Sequence, residues 1–126
     1  MRRALLRTIV AVAGVTAGIA GAAAAASEPV RYGRDVLPIL SAKCFSCHGP
    51  DEEGRQADLR LDLEAEAKRP RDAGAAIVPG RPDESGILAR ITSTDPDVVM
   101  PPGDTHKPLA PAQIDVLRRW IAEGAA

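Results

Sequence analysis

Aromatic residues are scarce in this chain of 126 residues, which holds one tyrosine, one phenylalanine and one tryptophan. All three follow residue 26, as Tyr32, Phe45 and Trp120. A domain of about 100 residues buries only a modest fraction of its surface and is marginally stable without an additional staple. The composition therefore indicates that something other than aromatic side chains completes the core.

Clusters of positive charge are also missing. All 17 acidic residues follow residue 26, whereas three of the 16 basic residues precede it, so residues 27–126 carry a net charge of about −4. Nucleic-acid binding depends on clustered lysine and arginine side chains that neutralise phosphates. The charge pattern therefore argues against nucleic acid as a partner, and it reveals no charged docking patch for a protein partner.

Cysteine is nearly absent too, and the spacing of the two cysteines is the main functional feature of the sequence. Cys44 and Cys47 are followed directly by His48, which gives the pattern C-x-x-C-H. This spacing is typical of covalent haem attachment, in which two thiols bond one porphyrin and the adjacent imidazole binds its iron. A covalently held haem would also supply the missing apolar bulk.

Other uses of the same residues remain open at this point. A thioredoxin-like redox pair needs a preceding strand and a βαβ setting. A disulfide between the two cysteines would close a very short loop and constrain the unfolded chain little. A structural zinc site would need about four ligands, which Cys44, Cys47, His48 and His106 could supply.

The first 26 residues have the pattern of a secretory signal peptide. A basic start with Arg2, Arg3 and Arg7 precedes an apolar run, which ends in Gly21 and five alanines. Such a pattern predicts export and cleavage near Ala26, which leaves residues 27–126 as one domain. An uncleaved membrane anchor is the alternative, since the apolar stretch approaches spanning length. No later segment is apolar enough to span a bilayer, and export excludes a cytosolic redox pair.

Helical periodicity predicts three main helices after residue 26. The first covers Arg34 to Ala42, tolerates Pro38 in its first turn and runs directly into the C-x-x-C-H. The second covers Asp83 to about Thr92, with Asp83 as its N-cap. The third begins at Pro111 and ends at Gly124. Between the first two, the alternating segment 59–63 predicts a short strand or extended segment with its leucines facing inward.

Met100 and His106 are the candidates for the second axial ligand of a haem iron. Met100 lies in the segment Val-Val-Met-Pro-Pro, where Pro101 and Pro102 fix the backbone and can hold a thioether in place. His106 lies in a polar loop and is expected to be solvent-exposed. Met100 is therefore the preferred ligand, although core filling is its ordinary role.

Several spaced motifs, which together cover nearly all of residues 27–126, resemble those of one family. The chain is similar in these segments to a planctomycete-type cytochrome c domain. The segments are 34–40 (RDVLPIL), 43–49 (KCFSCHG), 57–62 (ADLRLD), 78–85 (VPGRPDES), 100–102 (MPP) and 109–114 (LAPAQI).

This resemblance implies an all-α, class I-like cytochrome c fold with one covalent haem c on Cys44 and Cys47. It also implies His48 and Met100 as the axial ligands. Iron held on both faces by protein suits single-electron transfer rather than catalysis, so the chain is expected not to be an enzyme. A haem-based redox enzyme or sensor with a labile Met100 bond is the alternative.

The expected partners are redox proteins, and the expected location is the periplasm. Members of the family usually carry this domain at the start of a much longer exported protein. The chain ends at Ala126, which is compatible with a free-standing cytochrome or with a module of a longer protein. Arg60, Arg81 and Arg90 could pair with haem carboxylates or remain solvated, and the sequence does not decide between these roles.

Overall fold

The computed structural model describes residues 27–126. The regular elements in this range are helical and include no strand, which confirms the all-α prediction there. A π-helical turn, Tyr32–Val36, opens the fold. The α-helices are α1 (Leu37–Lys43), α2 (Phe45–His48), α3 (Glu64–Ala67), α4 (Gly86–Ile91) and α5 (Pro111–Ala122), with 3₁₀ turns at Pro82–Glu84 and Gly103–Thr105.

The predicted signal peptide, its cleavage near Ala26 and the alternative membrane anchor lie outside the described residues. Among residues 27–126, none of the helices has both the length and the hydrophobicity that crossing a membrane requires. The division into a signal peptide and one domain, residues 27–126, stays a prediction.

The core forms where the turn Tyr32–Val36, which leads into α1, packs against α5. Val36, Leu40, Leu117 and Ile121 are each 0% exposed. Burying a side chain of this type contributes roughly 1.5–3 kcal/mol to folding, so these four residues stabilise the described fold. Apolar residues of α4 extend the same core: Ile87, Leu88 and Ile91.

Trp120 closes one side of the core. Its side chain is 5% exposed, and its ring centroid lies 5.7 Å from that of Tyr32 at an interplanar angle of 39°. The indole Nε1–H donates to the backbone oxygen of Ala126 at 2.9 Å, so the polar atom of this large side chain is paired. Two of the three aromatic residues thus stabilise the end of α5.

The predicted boundaries of α5 are confirmed. Pro111 occupies the first helical position, and the Gln113 side chain accepts a hydrogen bond from the Ala110 backbone N–H at 2.9 Å. Gly124 has a φ of +107° just after the helix, a conformation that glycine adopts without a steric penalty. Local sequence chemistry is sufficient to set both ends of this helix.

The first helix differs from the prediction of one helix running into the motif. It begins earlier, with the π-helical turn Tyr32–Val36, and α1 ends at Lys43. Cys44 has φ −124° and ψ −37°, which interrupts the helical path before a separate turn, α2. Pro38 lies within the first turn of α1, directly after the π-helical turn, and has no N–H with which to bond back to that turn.

The prediction that Asp83 caps the second helix is wrong. Asp83 lies in a 3₁₀ turn and forms an ion pair with Arg118 at 2.9 Å, while Ser85 directly precedes α4. The Ser85 hydroxyl accepts from the Val78 N–H at 2.9 Å and is 1% exposed. This buried tertiary hydrogen bond fixes the start of α4 two residues later than expected.

Segment 59–63 forms no strand, and residues 61–63 form a bend. Leu61 is 6% exposed, and its N–H donates to the His48 carbonyl at 2.8 Å. Leu63, in contrast, is 42% exposed, so the expected inward orientation is correct for Leu61 and wrong for Leu63. The segment holds the end of the C-x-x-C-H turn against the core.

Candidate functional site

A cavity of about 590 Å³ lies between the C-x-x-C-H turn, α4 and the segment that contains Met100. Cys44, Cys47, His48 and Met100 all line it. Sites that bind cofactor-sized ligands typically have volumes of about 300–1,000 Å³. The structure therefore brings the C-x-x-C-H residues and Met100, which is more than 50 residues away in sequence, to one cavity of suitable size.

The C-x-x-C-H turn places both thiols on this cavity. The N–H groups of Cys47 and His48 donate to the Cys44 carbonyl at 3.1 and 2.8 Å. Both cysteines are half-buried and unpaired. Burial, together with the nearby Cys47, raises the pKa of the Cys44 thiol to about 11. Cys44 is thus a neutral thiol near pH 7, unlike the low-pKa thiolates of redox-active C-x-x-C pairs.

The His48 imidazole is oriented by a backbone carbonyl. Its Nδ1 lies 3.2 Å from the Gln56 oxygen, which can only accept, so Nδ1 carries the proton and Nε2 keeps its lone pair. Burial lowers the pKa of His48, opposed by the bond to Gln56, and the positive charge of Arg71 lowers it further. A neutral imidazole whose Nδ1–H donates to a carbonyl is the usual form of a metal-binding histidine.

Loop 49–58 supplies this carbonyl and is held in a conformation with unfavourable backbone dihedral angles. The Gln56 N–H donates back to the Cys47 carbonyl at 2.8 Å. Ala57 and Asp58 have φ values of 54° and 49°, which non-glycine residues adopt at a cost. The Arg71 guanidinium donates to the carbonyls of both residues, at 3.2 and 2.8 Å. Arg71 therefore holds the loop that orients His48.

Gly49 follows His48 and leaves no room for a side chain. A Cβ at this position would lie 2.3 Å from the Phe45 carbonyl oxygen, which is part of the backbone and cannot move independently. Two bonds from Arg55, to the carbonyls of Gly49 and Pro50 at 3.2 and 3.0 Å, hold the same bend. The chain can thus turn away from the cavity immediately after the imidazole.

Met100 lines the cavity from another segment, 98–102. Its N–H donates to the Arg90 carbonyl at 3.1 Å, which ties the segment to α4. His106 is exposed, has a φ of 52° and does not line the cavity. The structure thus places Met100, and not His106, in the cavity that the C-x-x-C-H turn lines.

Residues 44–104, which contain the motif, the cavity-lining loops and Met100, match the family described as planctomycete cytochrome c. This segment of the chain belongs to that family. No curated protein and no solved structure matches it at a significant level. The family resemblance drawn from the spaced motifs is confirmed, and membership implies haem binding and electron transfer rather than catalysis.

The residues of this cytochrome c domain fit a haem c. Two unpaired thiols and an imidazole with a free Nε2 face a cavity that a thioether also lines. Sulfur and imidazole are the donors that hold haem iron in cytochromes c. The remainder of the lining is largely apolar or small, as a porphyrin face requires, and includes Leu59, Leu61, Ala76, Ile87 and Ile91.

The alternatives left open by the sequence lack support within residues 27–126. No group of three or more histidine, cysteine, aspartate or glutamate residues in this range could hold a metal ion, so the four ligands considered for zinc are not brought together. The cysteines form no disulfide. The motif also follows α1 instead of the strand that a thioredoxin-like pair would require.

Sequence reasoning missed Gln56 and Arg71, because their roles depend on the shape of loop 49–58. Of the three arginines considered as partners of haem carboxylates, Arg60 instead pairs with Asp62. Arg81 pairs with Glu84. Arg90 lines the cavity. The remaining positively charged residues of the lining are Lys43, Arg71 and Lys107.

Proposed function

We propose that this chain is an exported c-type cytochrome that carries one haem c and transfers single electrons. Cys44 and Cys47 would bond the haem covalently, and His48 and Met100 would be its axial ligands. The observation that supports this proposal best is the presence of all four side chains on one cavity. The exposure of His106 outside the cavity favours Met100 as the sulfur-donating partner of His48.

When bound, haem supplies an iron that exchanges single electrons between Fe(II) and Fe(III). The residues of the chain would determine the ligands and the surroundings of this iron. Gln56 holds the His48 ring with Nε2 free, and the Met100 N–H is anchored to Arg90. A methionine–histidine pair raises the reduction potential relative to two histidines. If His48 and Met100 both held the iron, no position would be left for a substrate, which favours electron transfer.

Export and partners form the second part of the proposal. The basic and apolar pattern of residues 1–26 predicts a signal peptide, and domains of this family are generally exported. We expect the domain to work in the periplasm with redox partner proteins. Interfaces of electron-transfer partners are small and transient, below about 1,200 Å² in total. Nucleic acid is not an expected partner, because the net charge is negative.

Haem attachment provides the direct test. The full chain would be produced in a bacterium that exports and matures c-type cytochromes, and its haem measured as the pyridine haemochrome and by intact mass. One haem for each chain and a c-type absorption spectrum are expected. Cys44→Ser and Cys47→Ser should each lose one bond to haem or abolish maturation, whereas Ser46→Ala in the same turn should mature normally. A chain without covalent haem, or normal two-bond attachment in either cysteine variant, would contradict the proposal.

A haem-based enzyme or sensor with a labile Met100 bond is the second candidate. One observation favours it. Apart from local turns, only two hydrogen bonds in the described part of the chain join segment 98–107 to other segments, and both involve Arg90. Carbon monoxide added to the reduced protein distinguishes the candidates. Slow or weak binding is expected for a closed methionine–histidine pair, and fast, tight binding would instead support the enzyme or sensor.

A further inference from the structure

A second cavity, which we call the side pocket, lies between α3, Tyr32 and the end of α5. Its volume is about 180 Å³. The floor is apolar, because it is lined by Leu61, Ala67, Ile77 and Trp120, which are each at most 6% exposed. Among the described residues, Leu61 is the one that lines both this pocket and the cavity at the C-x-x-C-H turn. The side pocket is therefore a separate site beside the candidate haem site.

The volume and the walls of the side pocket suit one aromatic ring. An apolar protein cavity of about 150 Å³ stays free of water and binds benzene, and the side pocket is slightly larger. The rings of Tyr32 and Trp120 both line it, with their centroids 5.7 Å apart. Aromatic rings pack favourably against one another in tilted or offset arrangements. A molecule with a single ring would thus fill the pocket, whereas a fused ring system would be too large.

Charged side chains line the mouth of the side pocket. The Glu64 side chain is 74% exposed and that of Asp62 is 16% exposed, and Lys68 pairs with Glu64. The lining thus carries two carboxylates and one ammonium group, which repel an anion. Asp62 already accepts from Arg60, but a carboxylate has about four lone-pair sites. It can therefore accept one more hydrogen bond from a neutral donor.

Tyr32 shows how the side pocket affects a phenolic hydroxyl. Burial and, to a smaller extent, the negative charge of Asp62 raise the pKa of the Tyr32 phenol. Both causes favour the neutral O–H over the phenolate. A second hydroxyl held close to Asp62 would experience the same charge and would remain a donor at neutral pH. The mouth of the pocket therefore selects neutral hydroxyl compounds against their anions.

We propose that the side pocket binds a neutral molecule with one aromatic ring and one hydroxyl group, for which phenol is the probe. The ring would pack on Trp120 and Leu61, and the hydroxyl would donate to Asp62. The inference goes beyond the proposed function, since this site does not need haem. The two sites are nevertheless adjacent, because the Leu61 N–H donates to the His48 carbonyl at 2.8 Å. A bound molecule would therefore contact a residue that is hydrogen-bonded to the predicted iron ligand.

Titration of phenol into the reduced, haem-loaded full chain, labelled with ¹⁵N, tests the site by nuclear magnetic resonance. Trp120 is the single tryptophan of the chain, so the spectrum has one indole N–H signal. This signal and the Leu61 amide should shift and saturate, with a dissociation constant below about 10 mM. The visible absorption spectrum should stay unchanged, because the pocket is separate from the iron. Absence of a saturable shift up to about 50 mM phenol would overturn the inference, as would binding accompanied by a change at the iron.

Two further compounds with the same ring test the chemistry of the mouth. Benzoate carries a negative charge at neutral pH and should bind at least about tenfold more weakly than phenol. Toluene lacks the hydroxyl donor and should also bind more weakly, since Asp62 then loses contact with water without gaining a hydrogen bond. Benzoate binding as tight as that of phenol would overturn the selection of neutral hydroxyl compounds.

Two alanines of α3 provide a matched pair of variants. Ala67 lines the pocket and is 2% exposed, whereas Ala65 is exposed on the same helix. Ala67→Leu should fill part of the pocket and weaken phenol binding at least about tenfold. Ala65→Leu adds the same bulk outside the pocket and should change the affinity less than about twofold. Equal affinities of the two variants would overturn the inference.

Asp62→Asn tests the site without added bulk, should Ala67→Leu prevent folding. The amide keeps an acceptor but removes the charge, so phenol binding should weaken about fivefold and the preference over benzoate should shrink. Unchanged affinities for both compounds would overturn the role of Asp62. Haem content is measured separately as the pyridine haemochrome. Failure of phenol to bind the haem-loaded protein would thus overturn this inference and leave the proposed function intact.

Discussion

The two walls of the cavity are built differently. The motif wall, residues 44–61, is held by hydrogen bonds that cross its own loop, and by Arg71 from outside. The Met100 wall, residues 98–107, is held within the described chain mainly by local turns and by two bonds to Arg90, of which the guanidinium bond is 3.5 Å long. The histidine side is therefore preorganised by a network, whereas the methionine side depends on prolines and a few contacts.

This difference has a functional meaning for a cytochrome c domain. A ligand held by a network keeps its geometry when the iron changes its charge. A ligand held by a short segment with few tertiary bonds can open at a lower free-energy cost. We therefore expect changes in the motif wall to affect folding and haem attachment, and changes in the Met100 wall to affect mainly the sixth coordination position.

The largest effect is expected from the core that supports both walls. Trp120→Ala should lower the free energy of unfolding by about 3–5 kcal/mol, because a buried aromatic side chain leaves a cavity when truncated. Thermal denaturation of the holoprotein, followed by circular dichroism, measures this loss. Leu63→Ala is the control, since Leu63 is 42% exposed. If the two variants were equally stable, Trp120 would not support the fold as described.

Substitution of one glycine in each wall compares the two walls directly. In Gly49→Ala, the new Cβ would lie 2.3 Å from the Phe45 carbonyl oxygen, so the turn after His48 must shift. We expect a loss of about 3 kcal/mol, with a reduced yield of covalent haem. Gly103→Ala on the Met100 wall is the matched control, because its Cβ would meet nothing within 4 Å. Similar haem yields and stabilities for the two variants would contradict the difference between the walls.

Met100→Ala addresses the second wall. Covalent haem should be retained, the reduction potential should fall, and carbon monoxide should bind quickly to the opened position. The free energy of unfolding of the haem-loaded protein should also fall, because the bond to iron and the packing of the Met100 side chain are both lost. His106→Ala should leave potential and spectrum unchanged. If Met100→Ala left the potential and the spectrum unchanged and His106→Ala altered them, His106 would be the ligand instead.

The smallest expected effect is a pH dependence of stability that comes from Asp35, which lies outside both walls. Hydrogen bonds from Arg34 and from the Arg31 N–H lower the pKa of Asp35 from 3.8 to about 2. The ionised form is favoured in the folded state, so its contribution to stability is complete above about pH 4 and is lost as the pH falls through about 2. Asp35→Asn should reduce stability slightly at pH 6 and less at pH 2. An equal difference at both values would exclude this carboxylate as the cause.

The sequence predicts the parts of this site that are encoded locally. C-x-x-C-H and Met-Pro-Pro are short patterns whose chemistry does not depend on the rest of the fold, and Pro111 and Gly124 mark a helix by their own backbone preferences. The helix break at Cys44 could not be predicted, because the apolar periodicity continues through it. Residue roles that depend on tertiary contacts were also not predicted. Asp83 and Ser85 are both good caps, and only the buried bond from Val78 to Ser85 decides between them.

Loop 49–58 shows most clearly why the remainder of the site was not predictable. Alanine has no preference for the left-handed conformation that Ala57 adopts. The conformation is held by Arg71, which follows 14 residues later and contacts the loop only in the folded chain. Gln56 in turn reaches His48 only because of this conformation. Such a set of contacts depends on the complete fold and leaves no pattern in the local sequence.

Trp120 gives the molecule a built-in optical reporter. It is the single tryptophan of the chain, it is 5% exposed, and it lies beside Tyr32 in the core. All indole fluorescence therefore comes from one site, with no second emitter to subtract. Unfolding moves this indole into water and shifts its emission to longer wavelength. A haem in the cavity of the same domain would absorb at the emission wavelengths and quench it, so one fluorescence spectrum would separate unfolded, haem-free and haem-loaded protein.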